Sequence, residues 1–333
     1  MTVSEPAAGR RVTAVDVARE AGVSRATVGF VLNNTRGQTI PKDTRERVLR
    51  ASERLGYRPN SAARTLASGR SRIILLVLPD WPIEFRMRNY LDEASLALDR
   101  AGYSLVTYTR HADQTARPLW ESLSPDLVVG TIPFNPPDVE SMLACGVRKI
   151  YPSPGRTEPI DASLALSAGP RLQVDHLHER GHRNLVYVAA VEAHASSMIS
   201  ARFQAASERA RSLGLAALAL EEINYRSAST DETIRRMFDA GITGVVAFND
   251  DVAAAVASGA VRAGLRMPDD LAVIGHDDSP IAAMFVPALS TIRIDTVALG
   301  RRFADFVLRS VEQRPAPTSR TVVEPTLVQR ETS

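Results

Sequence analysis

Cysteine is nearly absent from this chain. Cys145 is the single one in 333 residues, so neither an intramolecular disulfide nor a cysteine-built metal cage can form. A redox scaffold is excluded, and Cys145 reads as an inert helix residue. Aromatic residues are sparse, and no apolar run approaches the ~18 residues that a membrane span needs. The opening stretch, MTVSEPAAGRRV, lacks the apolar core of a secretory signal, so the expectation is a cytoplasmic protein with no membrane partner. Neither G-x-G-x-x-G nor G-x-x-x-x-G-K-[ST] follows any predicted strand, which leaves dinucleotide and nucleoside-triphosphate chemistry without a phosphate cradle. No Ser/His/Asp set stands out by spacing. His176, His178 and His182 invite a metal reading, but Gly181 interrupts their helix and an i, i+6 spacing does not put two ligands on one face. The expectation is a protein that is not an enzyme and has no cofactor and no metal.

What is present is an ordinary globular composition, 44% hydrophobic and 23% charged, long enough for two or three compact units. The net charge of +2 conceals an asymmetry. Residues 1–72 hold 14 Lys and Arg against 6 Asp and Glu, whereas the remainder holds 26 against 32. A basic head on a mildly acidic body points to a polyanion as the partner of the head.

The head carries its own pattern. Thr13, with Asp16 three residues on, starts a short helix in capping-box fashion, and Val17, Ala18 and Ala21 give it an inward face before Gly22 ends it. Ser24 then caps a second helix with Val28, Val31 and Leu32 as its apolar positions. Two short helices joined by a glycine-containing turn form a helix-turn-helix, whose second helix presents its first residues to a major groove. A third helix is signalled by Pro41, by Val48, Leu49, Ser52 and Leu55 along one face, and by Gly56.

The run from Val12 to Val28 (VTAVDVAREAGVSRATV), followed by Val31-Leu32-Asn33, resembles the head of the lactose-repressor (LacI/GalR) family of bacterial transcription regulators. The run Tyr57-Arg58-Pro59-Asn60-Ser61-Ala62-Ala63-Arg64-Thr65-Leu66-Ala67 is similar to that family's hinge helix, and the likeness extends over nearly the whole chain. The resemblance implies that Thr13, Ser24, Thr27 and Asn33 anchor phosphates while Arg25, Ala26 and Phe30 face bases. Chemistry agrees: arginine can bond guanine O6 and N7 together, and alanine or phenylalanine can only touch an apolar group such as the thymine methyl. Family members commonly have serine and a polar or basic residue where this chain has Gly29 and Phe30, which bears on base preference.

Residues 61–68 are barely two turns, too short for a stable helix in water, where isolated helices below ~12 residues are marginal. The resemblance supplies a condition for folding: two hinge helices of a homodimer meet in the minor groove of operator DNA. Leu66 stands at the position of the apolar wedge that kinks the duplex, and Tyr57, Asn60 and Ala63 lie along the same surface. The expected division is a helix-turn-helix domain over 1–57, a hinge over 58–71 and a two-lobed effector-binding and dimerisation domain over 72–333.

In the body, strands are predicted at 73–78, 105–108, 126–130, 147–151, 185–188, 244–248, 271–275 and 291–294, with helical stretches between them. That alternation predicts α/β architecture, doubly wound parallel sheets behind a small all-α head. The resemblance gives two lobes of the periplasmic-binding-protein type. Ligands of such sheets sit beyond the carboxyl ends of the strands. Asn249 and Asp250 follow one predicted strand, Asp277 follows another, and Arg202 opens the helix after a loop over 191–200; these match the family's effector positions. A carboxylate with a guanidinium suits sugar-like hydroxyls. For Asp250 and Asp277 the other reading is helix capping after a strand. Trp81 and Phe85 either stack on an apolar sugar face or pack in a core or lid. Ala165 stands where many relatives carry aspartate, and Ala205-Ala206 replace a glycine-aromatic pair, so effector identity does not transfer. The resulting expectation is an operator-binding regulator, most simply a repressor, sensing a sugar or related metabolite as a homodimer or higher oligomer. The alternative is a cytoplasmic doubly wound enzyme or ligand-binding protein with a basic appendage.

Overall fold

A computed structural model describes residues 12–32, 39–57, 69–78, 85–110, 116–154, 162–191, 196–224, 229–315 and 323–333. Contacts within the chain divide it into two compact units, Met1–Arg72 and Ile73–Ser333.

The first unit is three helices, α1 (Ala14–Ala21), α2 (Arg25–Leu32) and α3 (Lys42–Arg54). Gly22 stops α1 in the left-handed region, at φ 65°, where a side chain would be strained. The Val23 amide then reaches back to the Ala18 carbonyl. Val17, Ala18, Ala21, Val28, Val31, Val48 and Ala51 form the core of this unit. One expectation fails: Leu49 is 45% exposed, and Ala51 takes the inward place. Positions 48, 51 and 55 share the buried stripe of α3, and residue 49 turns 100° away from Val48.

The second unit holds two four-stranded parallel sheets of identical permutation. Sheet A contains β1 (Ile73–Leu78), β2 (Ser104–Thr109), β3 (Leu127–Gly130) and β4 (Ile150–Tyr151) in the order β2-β1-β3-β4. Its helices are α4 (Phe85–Arg100), α5 (Leu119–Leu123) and α6 (Pro136–Ala144). Alternation along β1 feeds two cores: Ile74, Leu76 and Leu78 pack with Leu98 and Phe303, whereas Leu75 and Val77 pack with Trp120 and Met142. That is the signature of a strand covered on both faces.

Sheet B contains β5 (Leu185–Ala190), β6 (Ala219–Ile223), β7 (Gly244–Ala247) and β8 (Ala272–Ile274) in the order β6-β5-β7-β8. Around it lie α7 (Ala162–Glu179), α8 (Ser196–Ser212), α9 (Ser229–Asp239), α10 (Asp250–Arg262) and α11 (Pro280–Met284). Helix α7 packs on α8, and α9 packs on α10. The strand predicted at 291–294 is a ladder strand of neither parallel sheet, although it runs on from a parallel bridge between Ser290 and Ile274 of β8. It is β9 (Thr291–Arg293), paired antiparallel with β10 (Thr326–Val328). Helix α12 (Thr296–Glu312) returns to sheet A and packs along α4, with Gly300 so close to the Tyr90 carbonyl that a Cβ would collide with it. Strand 147–151 shrinks to Ile150–Tyr151, and Cys145 caps α6 at its carboxyl end, exposed, rather than lying inside a helix.

Candidate nucleic-acid interface and ligand cleft

In the first unit, local hydrogen bonds fix the two helix starts. The Thr13 amide and hydroxyl both donate to the Asp16 carboxylate, at 2.9 and 2.7 Å. The Thr27 amide donates to Ser24 Oγ at 3.1 Å, and the two hydroxyls pair at 2.9 Å. Ser24 is thus the cap of α2. Arg25 and Ala26 directly after it are exposed, while Thr27 and Phe30 are half-buried. Phe30 is not among the side chains that pack against the three-helix core. Tyr57, expected along a DNA-facing surface, is half-buried and packs partly on that core, its amide bonded to the Ser52 carbonyl at 2.9 Å. Asn33, Asn60, Ala63 and Leu66 lie outside the described residues, as does Trp81.

In the second unit, a cavity of about 180 Å³ is lined by Phe85 and Arg86 from the sheet A lobe and, from the sheet B lobe, by Asn249, Asp250, Asp251, His276, Asp277, Ser279, Pro280 and Ile281. Asn249 caps α10, its side chain accepting from the Val252 amide at 2.9 Å. Capping therefore falls to Asn249, and Asp250 is free for another role. Its carboxyl is buried, taking the Ser279 amide at 2.6 Å and the Thr291 hydroxyl at 2.5 Å. Burial pushes its pKa up to about 7.

Asp277 is not a cap either. It sits at φ 100°, a strained backbone for a residue with a side chain. Its Oδ1 gathers three donors: Arg202 Nη2 at 3.1 Å, Arg86 Nε at 3.4 Å and His276 Nδ1 at 2.6 Å. Although burial alone raises a carboxyl's pKa, the two guanidinium charges overcome it and hold Asp277 far below the ordinary carboxylate range. His276 is fully buried, which brings its pKa down to about 4 and leaves the ring neutral, with Nδ1 carrying the proton toward Asp277. Gly169 makes room for that ring, because a Cβ at residue 169 would collide with it.

Arg202 lies in the second turn of α8 rather than at its start, since the helix begins at Ser196. It is 1% exposed, donates to the Phe248 carbonyl and lies over the Phe248 ring at 4.8 Å. It stands behind Asp277 rather than lining the cavity. Asp278 points away, held by Arg293 and Arg330 at 2.6 and 2.7 Å. Behind the floor, the Gln173 amide donates to the carbonyls of Ala247, Ile274 and Gly275, tying the ends of β7 and β8 together.

The sequence reading missed Arg86. It is the cation that the sheet A lobe extends to Asp277, and only its place in a predicted post-strand segment hinted at it. Among the described residues no group of three His, Cys, Asp or Glu side chains could hold a metal, and His176 pairs with Ser333 Oγ at 2.9 Å. No helix among the described residues is long and apolar enough to cross a membrane.

Fold and cleft define a class: a helix-turn-helix unit joined in one chain to a two-lobed α/β binding domain. Residues 13–60 match the DNA-binding family described as bacterial regulatory proteins, lacI family, and residues 174–333 match a periplasmic binding protein-like domain. The chain thus carries a lacI-family DNA-binding domain and a periplasmic-binding-protein-like domain, and its homologues are LacI/GalR-family regulators. It is 28% identical over 334 residues to the ribose operon repressor of Bacillus subtilis, covering 96% of this chain and 98% of the relative. To the lactose operon repressor of Escherichia coli it is 27% identical, covering 97% of this chain and 91% of that one. In fold it is similar to the lac repressor dimer bound to operator and the anti-inducer ONPF, with a TM-score of 0.74 at 23% identity, covering 97% of this chain and 99% of that one. It is also similar to a CelR–cellobiose complex, with a TM-score of 0.62 at 24% identity, covering 97% and 100%.

Proposed function

We propose that this protein is a sequence-specific transcription regulator, a repressor, which binds operator DNA as a homodimer and is controlled by a sugar or related metabolite held in the cleft between its lobes. The observation that carries this reading is the start of α2: a serine-capped helix that leaves Arg25 and Ala26 exposed, on a head with 14 basic and 6 acidic residues over 1–72. Relatives named for the ribose, lactose and gal systems support it, and they are regulators rather than enzymes. Residues 1–57 read the DNA, 58–71 form the hinge and 72–333 sense the ligand, all in the cytoplasm. Thr13, Ser24, Thr27 and Asn33 hold phosphates, Arg25, Ala26 and Phe30 meet bases, and Leu66, flanked by Tyr57, Asn60 and Ala63, wedges the minor groove. Phe85, Asn249, Asp250 and Asp277 contact the effector, with Trp81 beside them and Arg202 setting the carboxylate of Asp277. An effector acts only through its different affinities for the two lobe arrangements.

The test is selection of duplexes from a randomised pool by the full chain at low salt. The expected result is a pseudo-palindromic site whose affinity falls steeply with salt and whose occupancy changes with one member of a panel of pentoses, hexoses and disaccharides. Arg25→Ala should cost about 1 to 3 kcal/mol and relax preference at one base pair of each half-site, read by fluorescence anisotropy. Failure to select any duplex overturns the reading.

A further inference from the structure

Gly29 stands inside α2, where glycine is the least favourable residue after proline. Nothing among the described residues requires it. A Cβ built at this position meets no atom of the described residues within 4 Å, and the backbone there is helical with negative φ. Alanine would fit and would strengthen the helix, so the missing side chain answers to something outside the head.

Its place on the helix says what that is. At 3.6 residues per turn, Gly29 lies about 40° round the helix from Arg25 and about 60° from Ala26, with Phe30 about 40° beyond Ala26. Helical side chains lean toward the amino terminus, so a side chain at 29 would cover the surface between Arg25 and Ala26. The helix face therefore has a floor of Gly29 and the Ala26 methyl, walled on one side by the exposed Arg25 and on the other by Phe30, which is half-buried and not among the described side chains packed on the core of the head. A guanidinium beside a shallow apolar notch is matched by a guanine next to a thymine: the guanidinium takes O6 and N7, and the notch takes the 5-methyl group.

We propose that Gly29 is a specificity-determining residue, retained at a cost to helix stability because it lets a thymine methyl next to a guanine seat against Ala26 and Phe30. This rests on the reading of α2 as the DNA-contacting helix. The experiment uses the full-length chain and its Gly29→Ala variant, with duplexes selected by the wild-type chain and copies in which the thymine at the α2 position is replaced by deoxyuridine. The selected half-site should hold a guanine–thymine neighbour pair. Removing the methyl should weaken the wild-type chain about fourfold. Gly29→Ala should bind the thymine duplex about tenfold more weakly and no longer distinguish it from the deoxyuridine duplex, while amide exchange in α2 slows about fivefold. Slower exchange with unchanged affinity and unchanged methyl discrimination overturns the inference, as does a wild-type chain indifferent to the methyl. A wild-type chain that selects no duplex overturns instead the reading of α2 on which it rests.

Discussion

The two sheets of the body share one strand permutation, yet they carry opposite chemistry at the ends where a ligand would enter. The segments after β7 and β8 of sheet B bring Asn249, Asp250, His276 and Asp277 to the cavity, and on the sheet A side the first residues of α4 bring Phe85 and Arg86. Topology therefore supplies two equivalent platforms, and among the described residues one gives the cavity an acidic floor and the other an aromatic ring with a cation, Phe85 and Arg86. The contrast extends inward. Behind the sheet B loops lies a network of buried charge, whereas β1 of sheet A is flanked on both faces by hydrocarbon and aromatic rings.

The largest expected effect tests whether the sheet B floor depends on that network. Arg202→Met removes a buried guanidinium and leaves Asp277 with Arg86 alone as its charged partner, which should cost about 3 to 5 kcal/mol in the calorimetric unfolding of the body. A change below about 1 kcal/mol would mean the floor stands without it.

The next pair sharpens the contrast by pH. Asp250, raised to about 7 in the folded protein from 3.8, binds more protons folded than unfolded between those values, so it makes stability fall as pH rises through that window. His276, lowered to about 4 from 6.5, binds fewer protons when folded and makes stability rise with pH between 4 and 6.5. The two contributions, each of order 3 to 4 kcal/mol, oppose one another. Relative to wild type, His276→Gln should tilt the curve of melting temperature against pH downward toward neutral pH, and Asp250→Asn should tilt it upward. Equal slopes in all three proteins would refute both assignments.

A smaller effect is expected from the sheet A side. Arg86→Ala breaks the lobe-to-lobe ion pair at a cost of about 1 kcal/mol, with faster amide exchange at 85–90 and 276–281 as its specific sign. Last, Thr131, just past β3, has a buried hydroxyl with no hydrogen-bond partner among the described residues. Thr131→Val should leave stability unchanged or raise it by up to about 1 kcal/mol in thermal unfolding, where an equivalent loss of polarity at Asp277 would be destructive.

Much of this was legible in the amino-acid order. The apolar runs at 73–78, 185–188 and 244–248 announce strands, which the structure places at 73–78, 185–190 and 244–247, and Thr13-Asp16, Gly22 and Ser24 punctuate the head where the structure has its caps. The reading failed where tertiary context overrides local pattern. β6 and β10 are exposed edge segments, ALEEI and TLV, without the apolar density of the central strands. Helix α7 continues through Gly169-Pro170, a pair that reads as a breaker, and at Gly169 the small residue is demanded by the His276 ring instead. Spacing placed Asp277 after its strand but could not show that its carboxylate would meet an arginine 191 residues earlier in the chain.

Gln173 has a bearing on how such a cleft is rebuilt. Its one amide group clasps the carbonyl ends of two neighbouring strands, and from those ends both acid-bearing loops depart. The gap between the loops is thereby set from beneath, independently of what the loops contain. An engineer seeking a different ligand preference can exchange 249–251 and 276–281 as cassettes, keeping Gln173 as the fixed gauge that hands each new pair of loops the same starting separation.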